Sequence, residues 1–218
     1  MLKYLLFDLD NTLYSSRYGL EKNVSQRIKE YTAAFLGVTP DEAWQMRRSN
    51  MGQYGTCLEW LMEEKGFTDC EAYLAAVHPP DEADSLPPDG DLRSFLSGLS
   101  IPKAILTNSP REHADRILDK LGIGDLFTHI FDIRMCNYAG KPRPKVYYRA
   151  LEVLGISAGE VLFIDDNPYY VEGFIALDGY AVLFDENDVH SDCPAPRIRE
   201  LEELTRVIAE LSNNRRTL

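Results

Sequence analysis

The chain has 218 residues, 44% hydrophobic and 27% charged, which is typical of a globular protein with one α/β domain, with or without an inserted module. Its net charge of −12 and the lack of any Lys/Arg block argue against a nucleic-acid partner. No apolar run approaches the ~20 residues of a membrane span, so no membrane association is expected.

The first residues and the cysteines predict a cytoplasmic protein. Asp8 and Asp10 interrupt the first apolar stretch too early for a signal peptide. The four cysteines are scattered and show no C-x-x-C spacing, so we expect reduced thiols and no zinc site.

The apolar run at 4–7 predicts a short, buried parallel strand. Asp8 and Asp10 follow it directly, so both are expected at the carboxyl edge of a sheet, where open α/β folds bind ligands. Taken alone, the two acids also fit a polar turn that closes the strand, since Asp favours turns.

Between about 15 and 88 the pattern is purely helical, with predicted helices at 15–36, 41–51, 54–64 and 69–77. Proline pairs at 79–80 and 87–88 bracket an acidic linker. About 70 helical residues are too many for one crossover between strands. We therefore predict a helical cap at 15–85, inserted into a core made of 1–14 and 86–218.

Strands and helices alternate after the linker. Strands are predicted at 103–106, 129–133, 161–164 and 180–184, and helices at 92–99, 112–121, 144–154, 169–177 and 198–211, with a frayed end at 212–218. This alternation predicts an α/β fold with a Rossmann-like, doubly wound parallel sheet and helices on both faces.

Polar residues follow two of the later strands. Thr107 and Asn108 follow the second, where Thr107 suits either the cap of the next helix or, with free backbone amides, a phosphoryl oxygen. Asp165 and Asp166 follow the fourth. Because paired carboxylates repel, they suggest a nearby cation, although a helix cap before Pro168 would explain one of them.

These motifs, in this order, resemble those of the haloacid dehalogenase-like hydrolases: DLDNTL, a strand ending in Thr107, KPRPKVYY and FIDD. The resemblance implies that Asp8 is a nucleophile and Asp10 the general acid/base. Thr107, Asn108 and Lys141 would bind the phosphate, with Lys141 preferred over Lys145. The implied cofactor is Mg²⁺, held by Asp8, the backbone carbonyl of Asp10 and Asp165, with Asp166 either a further ligand or a support for the other ligands.

Three strings, DLDNTLY, YGTCLEWL and FIDDNPYYVEG, further resemble the pyrimidine 5′-nucleotidase branch. This implies a nucleoside 5′-monophosphatase that prefers pyrimidines and selects its substrate through the cap. Candidate contacts there are Arg47, Arg48, Asn50, Gln53 and Tyr54, with Trp44, Tyr54 and Trp60 for base stacking. An exposed helix face is the alternative for the polar residues, and a place in the core for the tryptophans.

Three alternatives stay open at the level of the sequence. One is a phosphatase for small sugar phosphates or phosphoglycolate, and another a phosphomutase, which would keep all four motifs. The third is a non-catalytic binding protein, against which the presence of Asp8, Asp10 and Asp165 argues. In each enzymatic case the partner is a small phosphorylated metabolite, and a monomer or homodimer is expected.

Overall fold

A six-stranded parallel sheet forms the centre of the computed structural model, which describes residues 1–50 and 52–214. Its neighbouring strands follow the order β3-β2-β1-β4-β5-β6, and all are paired in parallel. The strands are β1 (Tyr4–Phe7), β2 (Lys103–Leu106), β3 (His129–Phe131), β4 (Val161–Asp165), β5 (Tyr180–Phe184) and β6 (Arg197–Ile198). The predicted doubly wound, Rossmann-like class is confirmed.

Alternate residues of a strand point to opposite faces of the sheet. Both faces are apolar here, and helices cover both of them. Leu5 and Phe7 face one apolar cluster, and Leu6 faces the other. The first cluster packs against α5 (Gly90–Gly98), α6 (Arg111–Leu121) and α9 (Leu204–Asn214). The second packs against α7 (Pro144–Leu154) and α8 (Pro168–Ile175). The central strands are thus buried, and only their ends are available for chemistry.

A helical insertion follows β1 and has its own apolar cluster, which includes the buried Trp60, Leu61 and Tyr73. Its helices are α1 (Leu20–Leu36), α2 (Pro40–Asn50), α3 (Cys57–Lys65) and α4 (Cys70–Val77). Leu20 and Ala83 lie inside the predicted cap at 15–85 but pack in the cluster of the sheet. The ends of the insertion are therefore anchored to the core, and its limits of 15 and 85 stay predictions.

Two predicted helices start more than three residues before the helices of the structure. The helix expected from 15 begins at Leu20, because Ser16–Tyr18 form a 3-10 turn that ends at Gly19 with φ of +72°. The helix expected at 198–211 is wrong at its start: β6 occupies Arg197–Ile198, and α9 begins only at Leu204.

α9 extends to Asn214, beyond its predicted end at 211, and the expected fraying at 212–218 stays a prediction. Residues 215–218, and residue 51 at the expected end of the second helix, lie outside the described residues. No helix of the described ranges is long and apolar enough to cross a membrane. All four cysteine thiols are free.

Candidate active site

Three of the predicted residues meet at the carboxyl edge of the sheet. Asp8 follows β1, and Asp165 ends the neighbouring β4, whose Ile164 lies opposite Phe7. The Lys141 side chain reaches the same place from the loop before α7. Its Nζ donates hydrogen bonds to Asp8 Oδ1 and Asp165 Oδ2, each at 2.6 Å.

Lys141 is a buried cation in this cluster. Its side chain is 1% exposed, and its ammonium also lies 5.0 Å from the ring centroid of Tyr170. Burial alone would lower the pKa of Lys141, but the charges and hydrogen bonds of Asp165 and Asp8 raise it above its ordinary value. Lys145, the alternative in the sequence, is exposed on α7.

The three carboxylates of Asp8, Asp165 and Asp166 carry more negative charge than one lysine offsets. Burial raises the pKa of Asp8 to about 7, and the charges of Asp165 and Asp10 add to it against the opposing effect of Lys141. Burial likewise raises the pKa of Asp165, and burial with the charge of Asp165 raises that of Asp166. The three carboxyl groups therefore bind protons more tightly than usual, and a further cation would stabilise their ionised form.

This cluster fits a divalent metal ion. Asp8, Asp165 and Asp166 each offer an oxygen, and these atoms lie within 4.8 Å of one another. Carboxylate oxygens are the ligands that Mg²⁺ prefers. The side chain of Asp10 is not part of this group, so its predicted contribution, the backbone carbonyl, stays a prediction.

The carboxylate of Asp10 is held by three neighbours instead. Tyr14 Oη donates to its Oδ1 at 2.5 Å, and Ser109 Oγ donates to its Oδ2 at 2.9 Å. His113 Nε2 lies 2.7 Å from Oδ1. Burial alone would raise the pKa of Asp10, but the positive charge and hydrogen bond of His113, with the bond from Tyr14, hold it well below its ordinary value. Asp10 is therefore ionised in the substrate-free protein.

His113 was not predicted from the sequence. It is fully buried in the first turn of α6, and its Nδ1 lies 2.7 Å from Glu82 Oε1. Burial alone would lower the pKa of His113, but Asp10 and Glu82 raise it to about 10. The sequence held one signal for His113: it lies in the first turn of α6, the helix that follows β2 and Thr107, and that turn borders the site.

Thr107 and Asn108 form hydrogen bonds in the loop after β2, and their predicted binding of phosphate stays a prediction. Thr107 Oγ1 accepts a hydrogen bond from Ser109 N at 3.0 Å, and Pro110 occupies the N-cap of α6, so Thr107 is not the helix cap. Asn108 Oδ1 accepts from Lys141 N at 2.7 Å, and its Nδ2 donates to Lys141 O at 3.2 Å. Asn108 thus clamps the loop that carries Lys141.

The helix-cap alternative also fails for the acid pair. Asn167 caps α8 by accepting a hydrogen bond from Tyr169 N at 3.0 Å, and Pro168 follows in the first turn. Asp165 Oδ1 accepts from Asn167 N at 2.8 Å, while its other oxygen contacts Lys141. Neither Asp165 nor Asp166 caps the helix.

Two adjoining cavities open at this edge between the core and the insertion. The inner one, of about 350 Å³, is lined by Asp8, Asp10, Lys141 and Asp166 together with insertion residues. The outer one, of about 400 Å³, brings the predicted cap contacts Arg47, Asn50, Gln53 and Tyr54 against the core residues Arg143, Tyr169 and Tyr170. Arg47 and Tyr170 line both, so the two cavities share part of their walls.

The cap candidates differ in how free they are. Arg47 Nη1 is buried and has no hydrogen-bond partner within the described part of the chain. Asn50 Nδ2 donates to Met46 O at 2.7 Å, and Tyr54 Oη donates to Glu64 at 2.6 Å. Gln53 is exposed at the rim of the outer cavity. Arg47 is therefore the cap candidate with a buried donor that has no partner among the described residues.

The two tryptophans take different places. Trp44 lines neither cavity and lies beneath Arg47, whose guanidinium carbon is 4.8 Å from the ring centroid. Trp60 is 2% exposed in the insertion's core and forms part of the outer cavity wall. Arg48 is exposed and lines neither cavity. Trp44 and Arg48 are thus not brought to the site.

Comparison with known proteins identifies the family. The sequence model of the haloacid dehalogenase-like hydrolases matches residues 2–178. The structure is also similar to that of a HAD phosphatase from Thermococcus onnurineus, with a TM-score of 0.64 and 22% identity over 95% of this chain and 98% of that chain. The chain belongs to the haloacid dehalogenase-like hydrolase family.

The named relatives include both phosphatases and dehalogenases. Phosphate metabolism protein 8 of Saccharomyces cerevisiae is 30% identical over 197 residues, an alignment that takes 80% of this chain and spans 59% of the yeast protein. Haloacetate dehalogenase H-2 of Moraxella sp. is 26% identical, with 89% of this chain and 94% of that protein aligned. Phosphoglycolate phosphatase of Pectobacterium atrosepticum is 27% identical, with 76% and 73% aligned. Names alone therefore do not select the reaction.

Proposed function

We propose that this chain hydrolyses phosphoric monoesters through an aspartyl-phosphate on Asp8. The observation that carries the proposal is the second acid, Asp10, fixed at the same sheet edge as the Asp8–Lys141 pair. A halide leaves without a proton, so a dehalogenase needs no general acid for its leaving group. An alkoxide leaving group needs a proton, which Asp10 is placed to give.

The residues would act in two half-reactions. Asp8 attacks phosphorus, the bond between phosphorus and the leaving oxygen breaks, and that oxygen takes a proton from Asp10. Asp10 then removes a proton from water, which attacks the aspartyl-phosphate, releases inorganic phosphate and restores Asp8. Lys141 and the backbone amides of the Thr107 loop hold the negative charge of the transferring group.

The ionised state of Asp10 in the substrate-free protein is compatible with this cycle. A bound phosphate ester brings negative charge close to Asp10, and like charge raises the pKa of a carboxyl group. Substrate binding therefore favours the protonated acid for the first half-reaction. Once the alcohol has left, the carboxylate is the form needed as a base.

Asp8, Asp165, Asp166 and the backbone carbonyl of Asp10 are the groups that would hold Mg²⁺. When bound, the metal ion would supply positive charge to the transferring phosphoryl group. The raised pKa values of Asp8, Asp165 and Asp166 support this assignment, because they mark a negative cluster that its one lysine does not neutralise.

For the substrate, we propose nucleoside 5′-monophosphates, with a preference for pyrimidines. The DLDNTLY and YGTCLEWL strings support this class, as does an outer cavity of about 400 Å³ with aromatic side chains at Tyr54, Tyr169 and Tyr170. A planar base stacks on such rings, and Gln53 at the rim offers an amide to its polar edge. The insertion would select the leaving group while the core binds phosphate.

Phosphoglycolate is a second candidate, favoured by one observation. The unpartnered, buried Nη1 of Arg47 would pair with the carboxylate of an anionic leaving group. The similarity to a phosphoglycolate phosphatase supports this alternative. A neutral pyrimidine base makes less use of this cation, so Arg47→Gln should lower kcat/KM strongly for phosphoglycolate and only weakly for a pyrimidine nucleotide.

A phosphate-release screen tests both the proposed phosphatase reaction and the proposed substrate class. Uridine and cytidine monophosphates, adenosine monophosphate, phosphoglycolate and small sugar phosphates are compared by kcat/KM in the presence of Mg²⁺. Asp8→Asn is the control, since an amide cannot form the acyl phosphate. Phosphate release by folded Asp8→Asn would exclude the mechanism. Equal turnover of sugar phosphates would exclude the nucleotidase assignment and leave the phosphatase.

A further inference from the structure

Three buried titratable side chains lie behind Asp10 and have no role in the mechanism above: His78, Glu82 and His113. Glu82 belongs to the linker between α4 and α5, and its side chain is 2% exposed. Its Oε1 lies 2.7 Å from His113 Nδ1, and its Oε2 lies 3.1 Å from His78 Nδ1. Burying polar groups costs folding free energy, so a buried cluster of this kind suggests a role in function.

A metal ion is not that reason. Glu82 already accepts from Arg116 Nη2 at 2.5 Å and faces Arg27 Nη2 at 3.5 Å. Both ring nitrogens of His113 face carboxylate oxygens, one of Glu82 and one of Asp10. Two guanidinium groups on the shared carboxylate leave no electrostatic need for a further cation.

The contacts instead form a chain that ends on Asp10. Glu82 holds one nitrogen of the His113 ring, which fixes the orientation of the other nitrogen towards Asp10 Oδ1. Tyr14 also donates to Oδ1 and Ser109 donates to Oδ2, so both oxygens of Asp10 have donors. His113 is the donor that Glu82 orients. A carboxylate held at both oxygens keeps one orientation, as an acid directed at a leaving group must.

We propose that His113, oriented by Glu82, is a positioning residue that presents Asp10 to the leaving-group oxygen. The inference rests on the phosphatase function proposed above. It extends that function to His113, which contacts the carboxylate of Asp10, and to Glu82, which acts through His113. Glu82 also contacts Arg27 of α1, which joins this support to the insertion.

The test separates leaving-group protonation from the attack on phosphorus. An alkyl phosphate such as uridine 5′-monophosphate needs the proton of Asp10, whereas p-nitrophenyl phosphate releases a stable phenolate without it. We expect His113→Ala to lower kcat/KM for the alkyl ester by about 100-fold. For the nitrophenyl ester kcat/KM should stay within about threefold of the native value. This constant covers only the steps up to the phosphorylation of Asp8, and for this ester those steps need no proton from Asp10.

A second readout follows from the role of Asp10 as base. In His113→Ala the hydrolysis of the aspartyl-phosphate becomes slow, so p-nitrophenyl phosphate should give a burst of nitrophenolate equal to the enzyme concentration. His113→Gln retains one N–H donor and should recover part of the lost activity on the alkyl ester. The matched control is His129→Gln on the edge strand β3, which should behave as the native protein.

Glu82→Gln removes the charge but little volume, and serves if His113→Ala does not fold. We expect it to lower kcat/KM about tenfold for the alkyl ester alone. Equal losses on both esters, or no loss on either, would overturn the positioning role while leaving the phosphatase intact. A native protein that releases phosphate from neither ester would overturn both proposals.

Discussion

Gly55 of the insertion packs so closely on Gly140 of the core that neither position has room for a side chain. A Cβ on Gly55 would collide with the Gly140 carbonyl and lie 2.9 Å from that of Lys141. A Cβ on Gly140 would lie 2.5 Å from Thr56 Cγ2 and 2.7 Å from Asn108 Oδ1. The insertion thus rests, backbone to backbone, on the loop that carries Lys141.

Gly55→Ala should separate the insertion from that loop. Because the neighbouring atoms are backbone, we expect a loss of about 1–3 kcal/mol in the free energy of unfolding, and a fall of about tenfold in kcat/KM. Urea unfolding and steady-state kinetics measure both. Gly90→Ala, where a Cβ meets open space, is the matched control. If Gly55→Ala and Gly90→Ala behave alike, the contact between Gly55 and Gly140 has no role in stability or in activity.

Lys141→Met should impair both activity and stability. The loss of a charge-stabilising donor costs about 10²–10³-fold in kcat, and removing one partner of a buried ion pair costs about 3–5 kcal/mol at pH 8. At pH 5 the stability deficit should shrink, because Asp8, with a pKa of about 7, is then protonated and no longer needs the ammonium. Lys145→Met is the exposed control; a deficit that is the same at both pH values would contradict this account.

Mg²⁺ should stabilise the protein more at pH 8 than at pH 5. Since burial raises the pKa of Asp8 from 3.8 to about 7, the folded protein binds this proton more tightly than the unfolded chain. Without metal, stability from this group therefore falls as the pH rises between those values. A saturating ion that binds the carboxylate form adds about 2.7 kcal/mol at 100 times its Kd.

Thermal unfolding with Mg²⁺ or a chelator, at both pH values, measures this effect. Asp166→Asn removes one ligand and should reduce the shift in Tm. An unchanged Tm at pH 8, with and without Mg²⁺, would exclude the metal site.

Glu71 on α4 ties the insertion to the core in a pH-dependent way. It accepts hydrogen bonds from Arg134 at 2.9 and 2.6 Å and from Tyr138 at 2.8 Å, which lower its pKa to about 2. The stabilisation is complete above the ordinary value of 4.5 and is lost as the pH falls towards 2. With a side chain 58% exposed, the ion pair contributes about 0.5–1 kcal/mol at most.

Glu71→Gln should therefore be less stable than the native protein at pH 6, by a difference that narrows at pH 3. Urea unfolding at the two pH values tests this. Glu152→Gln removes an exposed pair within α7 and should show no comparable effect. A difference that is independent of pH would assign the loss to packing instead of charge.

The sequence was most informative where chemistry and strand ends coincide. Asp8 and Asp165 lie side by side because parallel strands bring their carboxyl ends to one edge, and Lys141 reaches them from the loop before α7. β6 was missed because Ile198, Leu201 and Leu204 are spaced as in a helix, and two residues of strand have no pattern of their own.

The support behind Asp10 was not visible in the sequence for a different reason. Glu82 lies in an acidic linker that suggests a solvated turn, yet its side chain is buried between two arginines and two histidines. His113 lies in an amphipathic helix, where a single histidine carries no signal of its partners. Such contacts between distant segments depend on tertiary packing, which local patterns do not encode.

The distribution of tryptophan gives the insertion its own optical probe. Trp44 and Trp60, the chain's two tryptophans, both lie in helices of the insertion, and the sheet and its flanking helices have none. Emission excited at the red edge of tryptophan absorption therefore reports on α2 and α3 alone, while circular dichroism reports on the whole fold. Because Arg47 stacks on Trp44, a ligand that draws the guanidinium into the cavity would change that emission, which allows binding to be titrated without a label.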